Sequence, residues 1–452
     1  MSNSNMQENK MGVMSIPKLL ISMSLPMIAS MLVQALYNIV DSMFVAQLSE
    51  AALTAVSLAF PIQNLMVAVA SGTGVGINAL LSKSLGEKKL EQANVIASNG
   101  VFLALGSSLL FAVLGIFGSR LFFAAQTTDP QIIEYGTQYM SIITIASIGL
   151  FLQICYERLL QSTGKTIFNM ITQGTGAIIN IILDPILIFG WFGLPAMGVA
   201  GAALATVLGQ FVAAGLGVFF NSKYNKEIVV KLRGIKLCKQ TIGSIYKIGV
   251  PSILMQSIGS VTTFCMNNIL LMFSSTAATV FGIYFKLQSF VFLPIFGLTN
   301  GMIPIVAYNY GAKNKDRIYK TITVSLLISI GIMATGVVFF QTLPAAMLGL
   351  FEASAHMLEI GIPALRIISI SFVFAGYCII CSCVFQALGN GVYSLAVSAA
   401  RQLFVILPVA FAFAKLFGLH MVWWSYPIAE IVSVAACTFF LRRILKQKIE
   451  TL

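Results

Sequence analysis

The chain has 452 residues, 58% hydrophobic and 9% charged, with mean hydropathy +0.91 and formal net charge +12. Soluble domains carry about 25% charged residues, so the composition excludes a soluble enzyme, a disordered tail and a nucleic-acid reader of the usual kind. Lipid is the solvent it suits, and the useful unit is a span of about 20 apolar residues.

Residues 1–16 are polar and carry no cleavable signal. The apolar run after them is too long for a signal h-region, so it reads as an uncleaved first helix. Twelve apolar segments follow one another at 17–45, 52–82, 93–118, 135–157, 167–189, 196–220, 247–273, 277–308, 320–341, 357–386, 392–415 and 420–441. Backbone polar groups in lipid must be paired internally, so each is predicted as a helix and the fold as all-α and integral to the membrane.

The first segment contains Pro26, which removes a backbone donor and bends the helix. Beyond it Gln34, Tyr37 and Asp41 share a face at i, i+3 and i+7, bordered by Asn38. The fourth segment ends in Glu157 beside Arg158, read as a solvated or paired structural group. The fifth places Asn180 one turn before Asp184, and Pro185 frees the carbonyl of Ile181. The stretch 221–247 is polar and basic and reads as a linker between two lobes. Lys286 lies near Gln288 in the eighth segment, Arg366 follows Pro363 in the tenth, and Arg401 stands beside Gln402 in the eleventh. Each can snorkel or pair, or, facing a cavity, favour an anionic cargo. Glu430, midway along the twelfth, reads as a second proton site or the partner of a buried cation.

Twelve spans put both termini on one side. The loops and tails of that side hold 22 of the 27 Lys and Arg, against only Arg120 and Lys415 in the opposite loops. This bias places both termini in the cytoplasm. It also accounts for the net charge without a nucleic-acid partner.

Sliding the chain along itself until Pro26 meets Pro251 aligns its punctuation. Gln161 then meets Gln386, and Phe192-Gly193-Leu194 meets Phe417-Gly418-Leu419. Seven of the 21 glycines in residues 1–225 land on a glycine, where chance gives about 1.5. Two six-helix repeats entering the membrane the same way are related by a pseudo-two-fold along its normal, with a cavity expected between them. The domain reading is therefore an N-lobe at 1–222, a basic linker at 223–246 and a C-lobe at 247–452. The glycines at 72 and 76, copied at 297 and 301, are spaced to let helix backbones approach closely.

Enzyme chemistry finds little footing. Ser162-Thr163-Gly164-Lys165-Thr166 ends like a phosphate-binding loop, but Leu159 stands where its first glycine belongs. The only histidines, His356 and His420, are far apart, and Cys378, Cys381 and Cys383 have no histidine near them. The seven cysteines read as small apolar helix residues. No metal, triad or haem spacing and no cofactor are expected, and nothing points to an oligomer.

Intramembrane acids are functional candidates by default. Asp41 and Asp184 both lie in the first repeat. The same alignment puts Met266 opposite Asp41 and Val409 opposite Asp184, so the two repeats share a scaffold and differ in charge. Low dielectric penalises a carboxylate's charge. Such a group can load a proton from one side and release it to the other as access changes, and a cation competing for it gives antiport.

Ser24-Leu25-Pro26 leading to Tyr37-Asn38-Ile39-Val40-Asp41, Asn180-Ile181-Ile182-Leu183-Asp184-Pro185, Gly198-Val199-Ala200-Gly201-Ala202-Ala203 with Ala205-Thr206, and Gln386-Ala387-Leu388-Gly389 together resemble the multidrug and toxic compound extrusion family over the whole chain. The resemblance is closer to its DinF-like branch, which includes MepA-like proteins of Gram-positive bacteria. It implies a bacterial plasma-membrane exporter of cationic and amphipathic drugs working by alternating access. It also implies a coupling site at Asp41, Asn180 and Asp184, with Thr206, for a proton or sodium. Pro26 is then the hinge of the first helix, and Gln34, Tyr37 and Asn38, with Gln288 and Arg401, line the cavity. The NorM-like branch carries acids in helices 7 and 10; here helix 7 has none and helix 10 only Glu359, so coupling through the second lobe is not expected. The alternative is a flippase for a lipid-linked saccharide, which Lys286 and Arg401 in a shared cavity would favour.

Overall fold

The computed structural model describes residues 9–231 and 237–452. The N-terminal residues 1–8 and residues 232–236 of the predicted linker, with Arg233 and Lys236, lie outside the described residues. The described residues contain helices and turns and no strand. The principal helices are α1 (Ile16–Ala46), α2 (Glu50–Gly86), α3 (Leu90–Ala124), α4 (Pro130–Ile145), α5 (Ile148–Ser162), α6 (Thr166–Phe189) and α7 (Val199–Tyr224). After them come α8 (Lys239–Leu271), α9 (Ser275–Gly311), α10 (Lys315–Thr342), α11 (Ala355–Ser369), α12 (Phe372–Ala387), α13 (Gly391–Leu416) and α14 (Ser425–Ile444).

The predicted spans are refined at three places. By length and apolarity nine helices among the described residues can cross a membrane, and two bent pairs raise this to eleven. The fourth and tenth segments are those pairs: α4 meets α5 at 44° and α11 meets α12 at 47°. The twelfth segment is the 20-residue α14, which carries Glu430, Arg442 and Arg443 and is not among those nine helices or the two bent pairs. The linker is shorter than predicted, because α7 runs to Tyr224 and α8 begins at Lys239. Large apolar side chains such as Phe117, Leu121 and Phe404 are mostly exposed, as an exterior bathed in lipid requires.

The repeat is legible in backbone geometry. α9 starts and stops where the repeat places the ends of α2, with Ser275 matching Glu50 and Gly311 matching Gly86. Ser49 caps α2 by accepting from the Ala52 N–H, and Ser274 caps α9 by accepting from the Ala277 N–H. Lys88 and Lys313, Gly164 and Gly389, and Gly193 and Gly418 all have positive φ, in pairs one repeat apart.

By packing the chain divides into an N unit, Leu25–Gly249, and a C unit formed by Val250–Leu452 with the described residues up to Ser24. Both division points fall inside helices, each beside a proline, Pro26 in α1 and Pro251 in α8. The first half of α1 packs within the C unit. The Oγ of Ser24 donates to the Leu298 carbonyl at 3.4 Å, and a Cβ on Gly301 would sit 3.0 Å from the Ser24 nitrogen. Asn309 and Arg317 donate to the Met11 carbonyl, each at 3.0 Å. In the same way the first half of α8 packs within the N unit. A Cβ on Gly76 would overlap the carbonyl oxygen of Ile245, and one on Gly249 would lie 3.1 Å from that of Gly72. The glycine pair at 72 and 76 is thus a backbone-contact surface, as its spacing predicts.

Candidate functional site

Within the N unit three helices bring polar side chains together in an apolar setting. α1 contributes Asp41 from the half beyond Pro26, α6 contributes Asn180 and Asp184, and α7 contributes Thr206. α6 and α7 pack closely because Gly176 faces Gly209: a Cβ on Gly176 would lie 3.0 Å from the Gly209 carbonyl oxygen. That approach lets Asn180 Nδ2 donate to Thr206 Oγ1 at 3.3 Å. Asp184 is fully buried and Asn180 2% exposed.

The carboxyls of Asp41 and Asp184 come within hydrogen-bonding range of each other. With both ionised neither can donate. Asp41 Oδ1, both carboxylate oxygens of Asp184 and the Asn180 Oδ1 are buried without a donor. Buried acceptors left unmatched are costly. One proton on either acid would supply the missing donor and remove a charge. A hard monovalent cation would also suit this set of carboxylate, amide and hydroxyl oxygens.

A second tier of polar contacts surrounds the pair. Gln173 Nε2 donates to Gln34 Oε1 at 3.0 Å, tying α6 to α1, and Gln63 Nε2 donates to the Tyr139 hydroxyl at 2.8 Å. Tyr37 and Tyr139 stand within electrostatic reach of both acids. Sequence reasoning missed Gln63, Tyr139 and Gln173. Gln173 had a signal, since it precedes Asn180 by seven residues on one helical face. Tyr139 had none, because a mid-span tyrosine is ordinary.

The remaining singled-out residues lie apart from this cluster. Asn38 is exposed on α1, and Gln288 is half-buried on α9 in the C unit. Lys286 lies 5.8 Å from the Phe351 ring centroid. Arg366 Nε donates to the Gln341 carbonyl at 3.2 Å. Arg401 Nη1 donates to Glu430 Oε1 at 2.7 Å, so of the two readings for Glu430 the structure gives the partner of a buried cation. Glu157 is buried rather than solvated, and accepts from Gln153 Nε2 at 3.0 Å.

The MatE family model matches the chain twice, at residues 26–186 and 251–412. The chain belongs to the MatE family. The matches begin at Pro26 and Pro251, each one residue beyond a division point between the packing units, and so share the offset of the repeat. As a MatE member it is a multi-pass membrane transporter and not an enzyme. It is 29% identical over 426 residues to the multidrug export protein MepA of Staphylococcus haemolyticus, covering 94% of this chain and 93% of that one. To MepA of Staphylococcus aureus (strain MRSA252) it is 28% identical over 421 residues, covering 93% and 92%. Among solved structures, an outward-facing multidrug resistance MATE transporter matches with a TM-score of 0.92 at 23% identity, covering 99% of each chain. A MATE in the straight conformation matches with a TM-score of 0.92 at 22% identity, also covering 99% of each.

Proposed function

We propose that this MatE transporter exports cationic and amphipathic drugs across the bacterial plasma membrane by alternating access, with both termini cytoplasmic. The driving cation, a proton or sodium, binds at Asp41, Asn180 and Asp184 with Thr206. The relatives named for multidrug export support the cargo class. The single observation that carries the coupling site is the set of four buried oxygens on Asp41, Asn180 and Asp184 that lack a donor. A transiently bound proton or cation is what such a set accepts. A proton suits the two facing carboxyls best, because it lowers their charge and bridges them in one step. Pro26, where α1 passes from one packing unit to the other, is the hinge through which that step is felt.

The lipid-linked saccharide alternative is the one that Lys286 and Arg401 in a shared cavity would favour. Arg401 has its charge met by Glu430, which weakens that reading.

The test is ethidium transport in proteoliposomes under separately imposed proton and sodium gradients, with Asp41→Asn beside the wild type. Proton-driven transport lost in Asp41→Asn is the expected result. Transport driven by sodium alone changes the ion and keeps the site. Gradient-driven transport that survives Asp41→Asn, or no dye movement across a panel of organic cations, overturns the proposal.

A further inference from the structure

The C unit has its own buried carboxylate. Among its described acids Asp316, Glu352, Glu359 and Glu450 are exposed, and only Glu430 is buried, at 5%. Its Oε1 accepts from Arg401 at 2.7 Å, while its Oε2 is buried with no donor. The pair joins α13 to α14, and this is the helix pair that corresponds by the repeat to α6 and α7. Glu430 corresponds to Ala205, next to Thr206, and Arg401 corresponds to Gly176, one turn before Asn180. The ion pair therefore occupies the crossing that in the N unit adjoins the coupling cluster.

The backbone responds to this exchange. In the N unit the crossing is closed by Gly176 against Gly209, and residues 175–181 are ordinary α-helix. In the C unit the corresponding segment Ala400–Ile406 is a π-helix, a form that favours functional positions. No insertion causes it, since the same number of residues separates Gly164 from Gly193 as Gly389 from Gly418. A wide turn accommodates the arginine where its twin has no side chain.

We propose that Arg401 is a tethered counter-ion that holds the C unit's buried carboxylate, Glu430, out of cation exchange, and so confines coupling to the N unit. The inference rests on the N-unit coupling site proposed above. An arginine does not surrender its charge, so Glu430 has a permanent partner and needs no proton or sodium to neutralise it. The titratable groups facing the pair are Tyr284 of α9, Cys378 of α12, and Tyr426 and Cys437 of α14. All are neutral in their ordinary state, and none supplies a competing positive charge.

The prediction is a gain of exchange. Arg401→Met strands Glu430, which then takes a cation from solution. In proteoliposomes, the opposing cation gradient that just halts ethidium flux reports cations exchanged per dye. Wild type and Arg401→Lys should share one value. Arg401→Met should exchange one cation more, and Arg401→Met/Glu430→Gln should return to the wild-type value. If Arg401→Met folds without transporting, infrared spectra give the answer: a protonated-carboxyl band present in Arg401→Met and missing from the double variant is expected. An unfolded Arg401→Met is replaced by Arg401→Gln, read the same way. An unchanged null gradient together with no added band overturns the proposal, as does a wild type whose stoichiometry falls in Glu430→Gln. Failure of the N-unit site shows separately, as coupled transport surviving in Asp41→Asn with Arg401 intact.

Discussion

Replacing Asp184 by Asn should make the protein more stable and stop it working. In the ionised site, Asp41 Oδ1 and both oxygens of Asp184 are buried acceptors without a donor. An unmatched buried polar group costs about 1–3 kcal/mol, more when charged. An asparagine of nearly the same shape removes one charge and offers N–H donors within range of Asp41. The repulsion between the carboxylates disappears at the same time. A gain of about 1–3 kcal/mol follows, worth a few degrees in unfolding temperature for a chain of this size. Thermal unfolding in nanodiscs at neutral pH, beside the proteoliposome assay, measures both halves. Asp184→Leu is the control: it removes the charge and supplies no donor, so it should gain less. Lowering the pH should narrow the gap between Asp184→Asn and wild type, because the wild type then provides the donor itself. An Asp184→Asn protein that melts below wild type at neutral pH, or that still exports dye against a gradient, would refute this account of the site.

Gly76→Ala should cost about 1–3 kcal/mol through overpacking, because its Cβ overlaps the carbonyl of Ile245 and lies 3.0 Å from that carbonyl's carbon, both backbone atoms. Gly106→Ala has open space at its Cβ and should be neutral or slightly stabilising through helix propensity; the two melting temperatures, compared in one detergent, check the pair. Glu87 caps the loop after α2: partial burial opposes its ionisation, but the Lys89 hydrogen bond and the Lys83 charge outweigh this and hold its carboxyl below the usual range. The stability it adds is complete above the ordinary glutamate value and fades as pH falls through the lowered one, so Glu87→Gln should lower the melting temperature slightly at neutral pH and leave it nearly unchanged in acid, flattening the acid side of the profile.

Much of this architecture is legible in the sequence because lipid allows so few solutions. An apolar run of span length has to be a helix, and Pro26, Pro251 and the repeated glycines mark where such helices bend and touch. Asp41, Asn180 and Asp184 were legible because polar atoms at those depths are too costly to be accidental. The bends between α4 and α5 and between α11 and α12 were not, since no proline marks either. The hydroxyls there bond backbone carbonyls instead, Ser147 to Ser108 and Ser371 to Ile368, and serines of that kind are common throughout the chain. The shared packing of the first half of α1 with α9 was hidden as well. It rests on Ser24 meeting Leu298 and Gly301, residues far apart in the chain that carry no pairing code.

The two units treat their buried acids differently on one scaffold, and on the coupling site proposed above this would make one copy active and leave the other quiet. At the crossing of α6 and α7, glycine against glycine brings the helices close enough for Asn180 to reach Thr206, and the neighbouring acids are left without donors. At the crossing of α13 and α14, the positions of Asn180 and Asp184 are held by Val405 and Val409, and Met266 replaces Asp41 in the core. The one acid that remains is met by an arginine from the facing helix. A buried charge can be tolerated with a permanent partner or with a transient one. A permanent partner gives a strut; a transient one gives a site that must be filled and emptied in each cycle. On the proposed coupling, the N unit holds the acids with a transient partner and the C unit the acid with a permanent one.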